Sequence, residues 1–285
     1  MQVKNSTIQY MRTYKWLTKR KVFLILLVFV GVLSIVYFSS SPSNDRDWSS
    51  DQALLPYSIF DGDTVELFNI RNFSYTSTTD HEIKYYNQTY DLNEITSVDY
   101  IVEPFEGIGA AHTFISFGFK SGEYVAVSVE IRKEKGESFS PLKGILRNYE
   151  LMYVIADEKD VIKLRTNYRK DDVYLYPVKT SSKNMKTLFV DVLTRANKLK
   201  DEPEFYNTLT NTCTTNIASH INNVSPNRIP WDVRLLLPKN SDALAYELGL
   251  IDNSLPLEEL RTKHLINDEA ELYADDPNFS KLIRQ

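Results

Sequence analysis

The stretch HTFISFGFKSGEYVAVSVEIR, residues 112–132, constrains the fold more than any other part of the chain. Two runs rich in β-branched and aromatic residues flank the polar KSGE, which is the pattern of a β-hairpin. With a three-residue loop, Ser121 to Glu123, Lys120 pairs with Tyr124. Phe119, Phe117, Ile115 and Thr113 then share an almost wholly apolar face with Val125, Val127, Val129 and Ile131. The opposite face carries His112, Phe114, Ser116 and Gly118 with Ala126, Ser128, Glu130 and Arg132. A two-residue loop would mix the faces, which the pleat disfavours. This register leaves Glu130 diagonal to His112, within side-chain reach.

Further strands are expected at TVELFNI (64–70), IKYYNQTY (83–90), SVDYIV (97–102), LMYVIA (151–156), VIKLRT (161–166) and VYLYPV (173–178). Met185, Leu188, Phe189, Val192, Leu193, Ala196 and Leu199 recur at helical spacing and predict an amphipathic helix over about 184–200. A second helix is expected from Cys213 to about Asn222. A third is expected over 241–251, capped by Ser241 or Asp242 and ended at Gly249. The last thirty residues are acidic, partly helical and poor in core-forming residues. The fold class is α+β, an antiparallel sheet packed on helices.

Ahead of this domain, VFLILLVFVGVLSIVYF (22–38) carries no charge, at the short end of a spanning helix. Six Lys and Arg and no acid stand before it, and Asp45, Arg46, Asp47 and Asp51 follow it. The positive-inside rule then predicts a cytoplasmic N-terminus (1–21), one transmembrane anchor (22–38), a polar linker (39–61) and an extracytoplasmic domain (62–251) with an acidic extension (252–285). A cleaved signal peptide gives the same topology. The net charge is −5, and no basic stripe with interleaved aromatics is present, so nucleic acid is not an expected partner.

That location changes the meaning of the single cysteine, Cys213, in YNTLTNTCTTNIASH. Outside the cytoplasm cysteines usually form pairs, and one thiol has no internal partner. It is an inert core residue, an intermolecular link or a reactive group. No metal site is expected, because one cysteine and four histidines are a poor closed set, and no cofactor is indicated. Asn211 and Thr212 are N-cap residue types, so Cys213 falls in the first turn of its helix. There the dipole and the free N–H groups favour thiolate and can hold an oxyanion. A thiolate nucleophile needs an oriented imidazole, and His112 with Glu130 beside it supplies that pattern. The plain alternatives are a structural His112 and a Glu130 paired with Arg132 or Lys133. His220 lies two helical turns from Cys213 and reads as a surface or capping residue; His81 and His264 read as solvated.

NIRNFSY, AAHTFISFGF, VSVEIRKEKGE, YELMYVIADEKD and FYNTLTNTCTTNI together resemble the Lnb N-terminal periplasmic domain family, over roughly residues 62–251. The family is named for a bacterial lipoprotein N-acyltransferase and is related to circularly permuted, papain-like (NlpC/P60-type) thiol enzymes. The resemblance implies that fold, a catalytic Cys213 and His112, and no cofactor. Thr212 stands where the family often has Asn, and the multi-span membrane part of the namesake has no counterpart here. Together, the resemblance and the apolar run imply a single-pass protein of a bacterial cytoplasmic membrane. It would transfer acyl groups through a Cys213 thioester, with a membrane lipid or lipoprotein as substrate. A thiol amidase acting on peptidoglycan or peptide, and a non-catalytic binding or assembly module on the same fold, are the alternatives.

Overall fold

A computed structural model describes residues 19–29, 31–32, 34–35, 37–225 and 228–285. The chain divides into two units, Met1–Pro42 and Ser43–Gln285. In the first, residues 19–29 are helical and the apolar side chains from Val22 to Phe29 are exposed. The expected transmembrane helix is not upheld. Among the described residues no helix is long and apolar enough to cross a membrane. The physical reason is length: 17 residues at 1.5 Å each rise ~26 Å, short of the ~30 Å hydrocarbon layer. The N-terminal residues 1–18, and positions 30, 33 and 36 of the run, lie outside the described residues.

The second unit contains strands β1 (Tyr57–Asp61), β2 (Thr64–Arg71), β3 (Ser74–Tyr75), β4 (His81–Glu82), β5 (Tyr85–Asp91), β6 (Ile95–Pro104), β7 (Ala111–Phe119), β8 (Tyr124–Arg132), β9 (Glu150–Asp157) and β10 (Tyr174–Pro177). Its helices are α1 (Pro141–Ile145), α2 (Glu158–Lys163), α3 (Ser182–Asp201), α4 (Cys213–Val224), α5 (Ser241–Glu247), α6 (Leu257–His264), α7 (Asn267–Leu272) and α8 (Phe279–Leu282). The main sheet runs β1-β2-β9-β8-β7-β6-β10, with β5 also paired to β2. It is α+β as expected, but the sheet is mixed rather than antiparallel. β2 meets β9 in parallel at Arg71 and Ala156. Arg71 holds that junction by a two-pronged bond to Asp160, at 2.9 and 2.8 Å, just beyond the end of β9.

The central hairpin forms where expected, with its register moved by two residues. Gly118 pairs with Tyr124 and Phe117 with Val125. The loop is longer, closed by Phe119 N–H to Glu123 O at 3.0 Å and Gly122 N–H to Phe119 O at 2.9 Å. Gly122 sits there at φ +88, a conformation that suits glycine. A shift of two keeps every side chain on its face, because the pleat repeats every two residues. It also moves Glu130 from the diagonal of His112 to the position directly across from it.

Both faces of the sheet are covered. Ile115, Phe117, Val125 and Val127 pack with Leu188, Phe189, Val192 and Leu193 of α3 and with Ile217 and Ala218 of α4. Phe114, Ala126, Met152 and Val154 pack on the other side with Ile162, Ile266, Phe279 and Ile283. The C-terminal segment, expected to be poor in core residues, thus closes the second layer. There Arg284 binds Asp99 at 2.8 Å and Glu158, both buried. Residues 161–166, expected as a strand, are helical: α2 runs on into a π-helical turn at Leu164–Arg169. Asp157 caps α2 by accepting Lys159 N–H at 2.8 Å, and Glu158 and Asp160 favour its N-terminus.

Candidate active site

Thr212 decides where α4 starts. Its side chain accepts Thr215 N–H at 3.3 Å while Thr215 Oγ1 accepts Thr212 N–H at 2.8 Å, a reciprocal cap. Asn216 N–H turns back to Thr212 O at 3.1 Å. Cys213 is therefore the first residue of the helix. With Thr215 and Asn216 served, the backbone N–H groups of Cys213 and Thr214 are those a helix start leaves open. Thr214 Oγ1 bonds Thr113 Oγ1 at 3.0 Å and docks this end of α4 on β7.

β7 pairs with β6 along its whole length, down to Ala111 opposite Pro104. Its ladder with β8 stops at Phe114 and Ser128, although both strands run on. Into that opening the half-buried Cys213 is placed, where His112 and the backbone N–H of Thr113 both act to lower its thiol. His112 Nε2 lies 2.7 Å from Ser128 Oγ and 3.2 Å from Glu130 Oε1. Ser128 Oγ donates to the same carboxylate oxygen at 2.7 Å. The structure thus brings together the three residues picked from the sequence, Cys213, His112 and Glu130.

Burial pushes the Cys213 thiol up, but the His112 bond and charge, with help from Thr113 and Thr214, bring it down to about 7. Burial pushes His112 down, and the Glu130 charge and the Cys213 thiolate overcome this and raise it to about 10. Burial likewise opposes ionisation of Glu130, yet His112 and Arg165 hold it well below the usual carboxylate range. Near neutral pH the site favours thiolate beside imidazolium, the reactive form of a cysteine nucleophile.

Four residues of the site were missed in the sequence. Ser128 bridges His112 and Glu130, and its place two residues before Glu130 on one strand face was a readable signal. Glu103 sits across from His112 on β6 and is fully buried. An acid in the apolar run DYIVEP was a signal too. Arg165 has no local signature; its Nε bonds Glu103 Oε2 at 2.8 Å and its Nη2 bonds Glu130 Oε1 at 3.2 Å. It stacks over Phe114 at 4.9 Å and sits in the π-helical turn. Tyr100 is buried close to the thiol, which raises its hydroxyl further after burial has done so.

The remaining histidines stand apart. His220 is buried rather than at the surface, its Nδ1 2.6 Å from Asp191 of α3 and its Nε2 2.6 Å from the Tyr153 hydroxyl. His81 stacks on Phe73 at 4.9 Å, and His264 tilts against Tyr176 at 5.4 Å. Among the described residues no group of three or more His, Cys, Asp or Glu is placed to hold a metal ion.

The family model of the Lnb N-terminal periplasmic domain matches residues 82–239, more than half of the chain. The chain belongs to the Lnb N-terminal periplasmic domain family. The matched span contains His112, Glu130 and Cys213 as well as β6 to β10. Membership of this family supports an extracytoplasmic location for the domain. No curated protein and no solved structure gives a match.

Proposed function

We propose that this domain is a Cys–His enzyme of the acyl-transfer type, acting on an acyl group of a lipid or lipoprotein. The observation that carries the reading is the placement of Cys213 at the capped head of α4 beside an imidazole held at Nε2 by Ser128 at 2.7 Å and Glu130 at 3.2 Å, an arrangement that lowers the thiol and raises His112. Cys213 Sγ attacks the carbonyl carbon of the donor ester, and the new C–S bond leaves the negative charge on oxygen. The N–H groups of Cys213 and Thr214 are positioned by the helix start to receive that oxyanion. As the C–O bond breaks, the imidazolium of His112 gives its proton to the departing alkoxide. The now neutral His112 takes a proton from the acceptor amine, which attacks the thioester, forms the C–N bond and frees the thiolate. Glu130 and Ser128 hold the imidazole at Nε2 throughout. The order of the elements, histidine strand before cysteine helix, supports the kinship with permuted papain-like thiol enzymes.

The test is to incubate the protein with phospholipid vesicles or a diacylated lipopeptide, quench in acid and weigh the intact protein. A fatty-acyl mass on wild type, absent from Cys213→Ala and strongly reduced in His112→Ala, is the expected result. A peptide or muropeptide adduct formed instead from cell-wall fragments would replace the reading by an amidase. No adduct from either source, together with a slowly reacting thiol, would make the domain a binding module.

A further inference from the structure

A cavity of about 220 Å³ lies between the sheet and helices α3, α4 and α5. It is larger than the roughly 150 Å³ engineered void that takes up benzene. Its wall is mainly aliphatic, with Ile115, Leu188, Ile217, Ile221, Leu244 and Leu250 among its residues. Along α4 the lining positions are 214, 217, 218, 221 and 224, with Ser225 just past its end. The helical positions form one face over ~15 Å of rise. The stripe begins at Thr214, whose hydroxyl is 3.7 Å from Cys213 Sγ.

The polar groups at this end are already occupied. Tyr100, close to the thiol, donates to Ser241 Oγ at 2.7 Å, and Ser241 donates to Pro238 O at 2.7 Å. Thr214 is bonded to Thr113. The side-chain hydroxyls of Tyr100, Ser241 and Thr214 are thus all engaged within the protein. Packed interiors contain few spaces of this size, and besides its aliphatic wall this one is lined by Lys179, Ser181, Asn184 and Arg228.

We infer that this cavity is the acyl-chain pocket of the site: it takes a saturated hydrocarbon tail lengthwise along α4, with the carbonyl carbon delivered at Thr214 to Cys213. The inference rests on the acyl-transfer reading above and adds where the chain lies and which residues set its length. Ala218, in the middle of the stripe, is the position where added bulk shortens the pocket.

Two measurements on the full chain test it separately from the chemistry. In the first, Cys213→Ala is titrated with dodecanoate by calorimetry, alone and with Ala218→Phe added. In the second, the burst of nitrophenol from p-nitrophenyl acetate and from p-nitrophenyl octanoate is compared on wild type and Ala218→Phe. Dodecanoate binding that is lost with Ala218→Phe is expected, as is octanoate acylation faster than acetate by ~tenfold or more, a ratio that Ala218→Phe collapses. Binding without any burst would keep the pocket and remove the nucleophile. A burst with no preference for octanoate would keep the nucleophile and overturn the pocket. Should Ala218→Phe fail to fold by circular dichroism, the wild-type chain-length ratio decides alone.

Discussion

The two ends of the cysteine helix each hold a buried histidine against a carboxylate, and the two rings behave in opposite ways. At the N-terminal end His112 is raised to about 10. Toward the other end His220 is lowered, because burial outweighs the pull of Asp191. Part of the difference lies in the second partner. The thiol beside His112 can surrender its proton, so charge separation is shared between two ions and anchored by Glu130. The hydroxyl beside His220 belongs to Tyr153, which burial drives upward and so keeps protonated. A neutral His220 can therefore accept from Tyr153 at Nε2 and donate from Nδ1 to Asp191. A carboxylate at hydrogen-bond distance does not by itself make an imidazole into a cation: Glu130 contributes most to raising His112 and the thiol adds to it, whereas at His220 burial and the charge of Arg195 win over Asp191.

The largest effect that could break this contrast is on thiol reactivity. Iodoacetamide labelling of Cys213 at pH 7, followed by mass spectrometry, should slow by ~100-fold in His112→Ala, within the usual range for loss of an acid–base partner. His220→Gln should label at the wild-type rate. Equal slowing in both variants would mean that the two histidines differ only in position. In wild type, labelling should rise through pH about 7 as the thiolate forms. Acyl transfer should in addition fall above about 10, where the imidazolium is lost. Glu130→Gln sharpens the comparison: removing that charge should move the labelling midpoint upward by about one unit, or ~fivefold in rate at pH 7. An unmoved midpoint would show that Ser128 and the sulfur suffice.

At the other end the readout is stability. His220→Gln breaks one or both of its short bonds and should cost about 1 kcal/mol by urea denaturation. The smallest effect is its pH dependence. A histidine kept neutral in the fold binds fewer protons than in the unfolded chain, so its contribution is complete above the ordinary value and is lost as pH falls below ~6.5. Between pH 7.5 and 5.5, wild type should lose slightly more stability than His220→Gln, by under ~1.4 kcal/mol, the worth of one unit. A wild-type protein that instead gained relative stability would place a charged imidazole here as well.

The sequence showed what depends on neighbours along the chain. Alternation assigned the faces of β7 and β8, and Thr212 with Asn211 marked where α4 begins. The hairpin register was misjudged because alternation has period two and cannot see a shift of two; the turn around Gly122 chose between them. Residues 161–166 looked like a strand because a short apolar run fits either period. What settled them was Asp157 as a cap and Arg71, far away along the chain, holding Asp160. The burial of His220 depends on Asp191 and Tyr153, and the grip of Arg165 on two acids depends on Glu103 and Glu130; none of these pairings has a local signature. The apolar run 22–38 carried the composition of a spanning helix without its length.

The early end of the β7–β8 ladder has one further consequence. By parting before the imidazole, the two strands leave the Thr113 peptide N–H off their ladder, and there it helps to lower the Cys213 thiol. That contribution is written in the main chain, so exchanging the side chain at position 113 leaves it in place. Zipping the hairpin further would remove it without touching a single residue of the pair it serves.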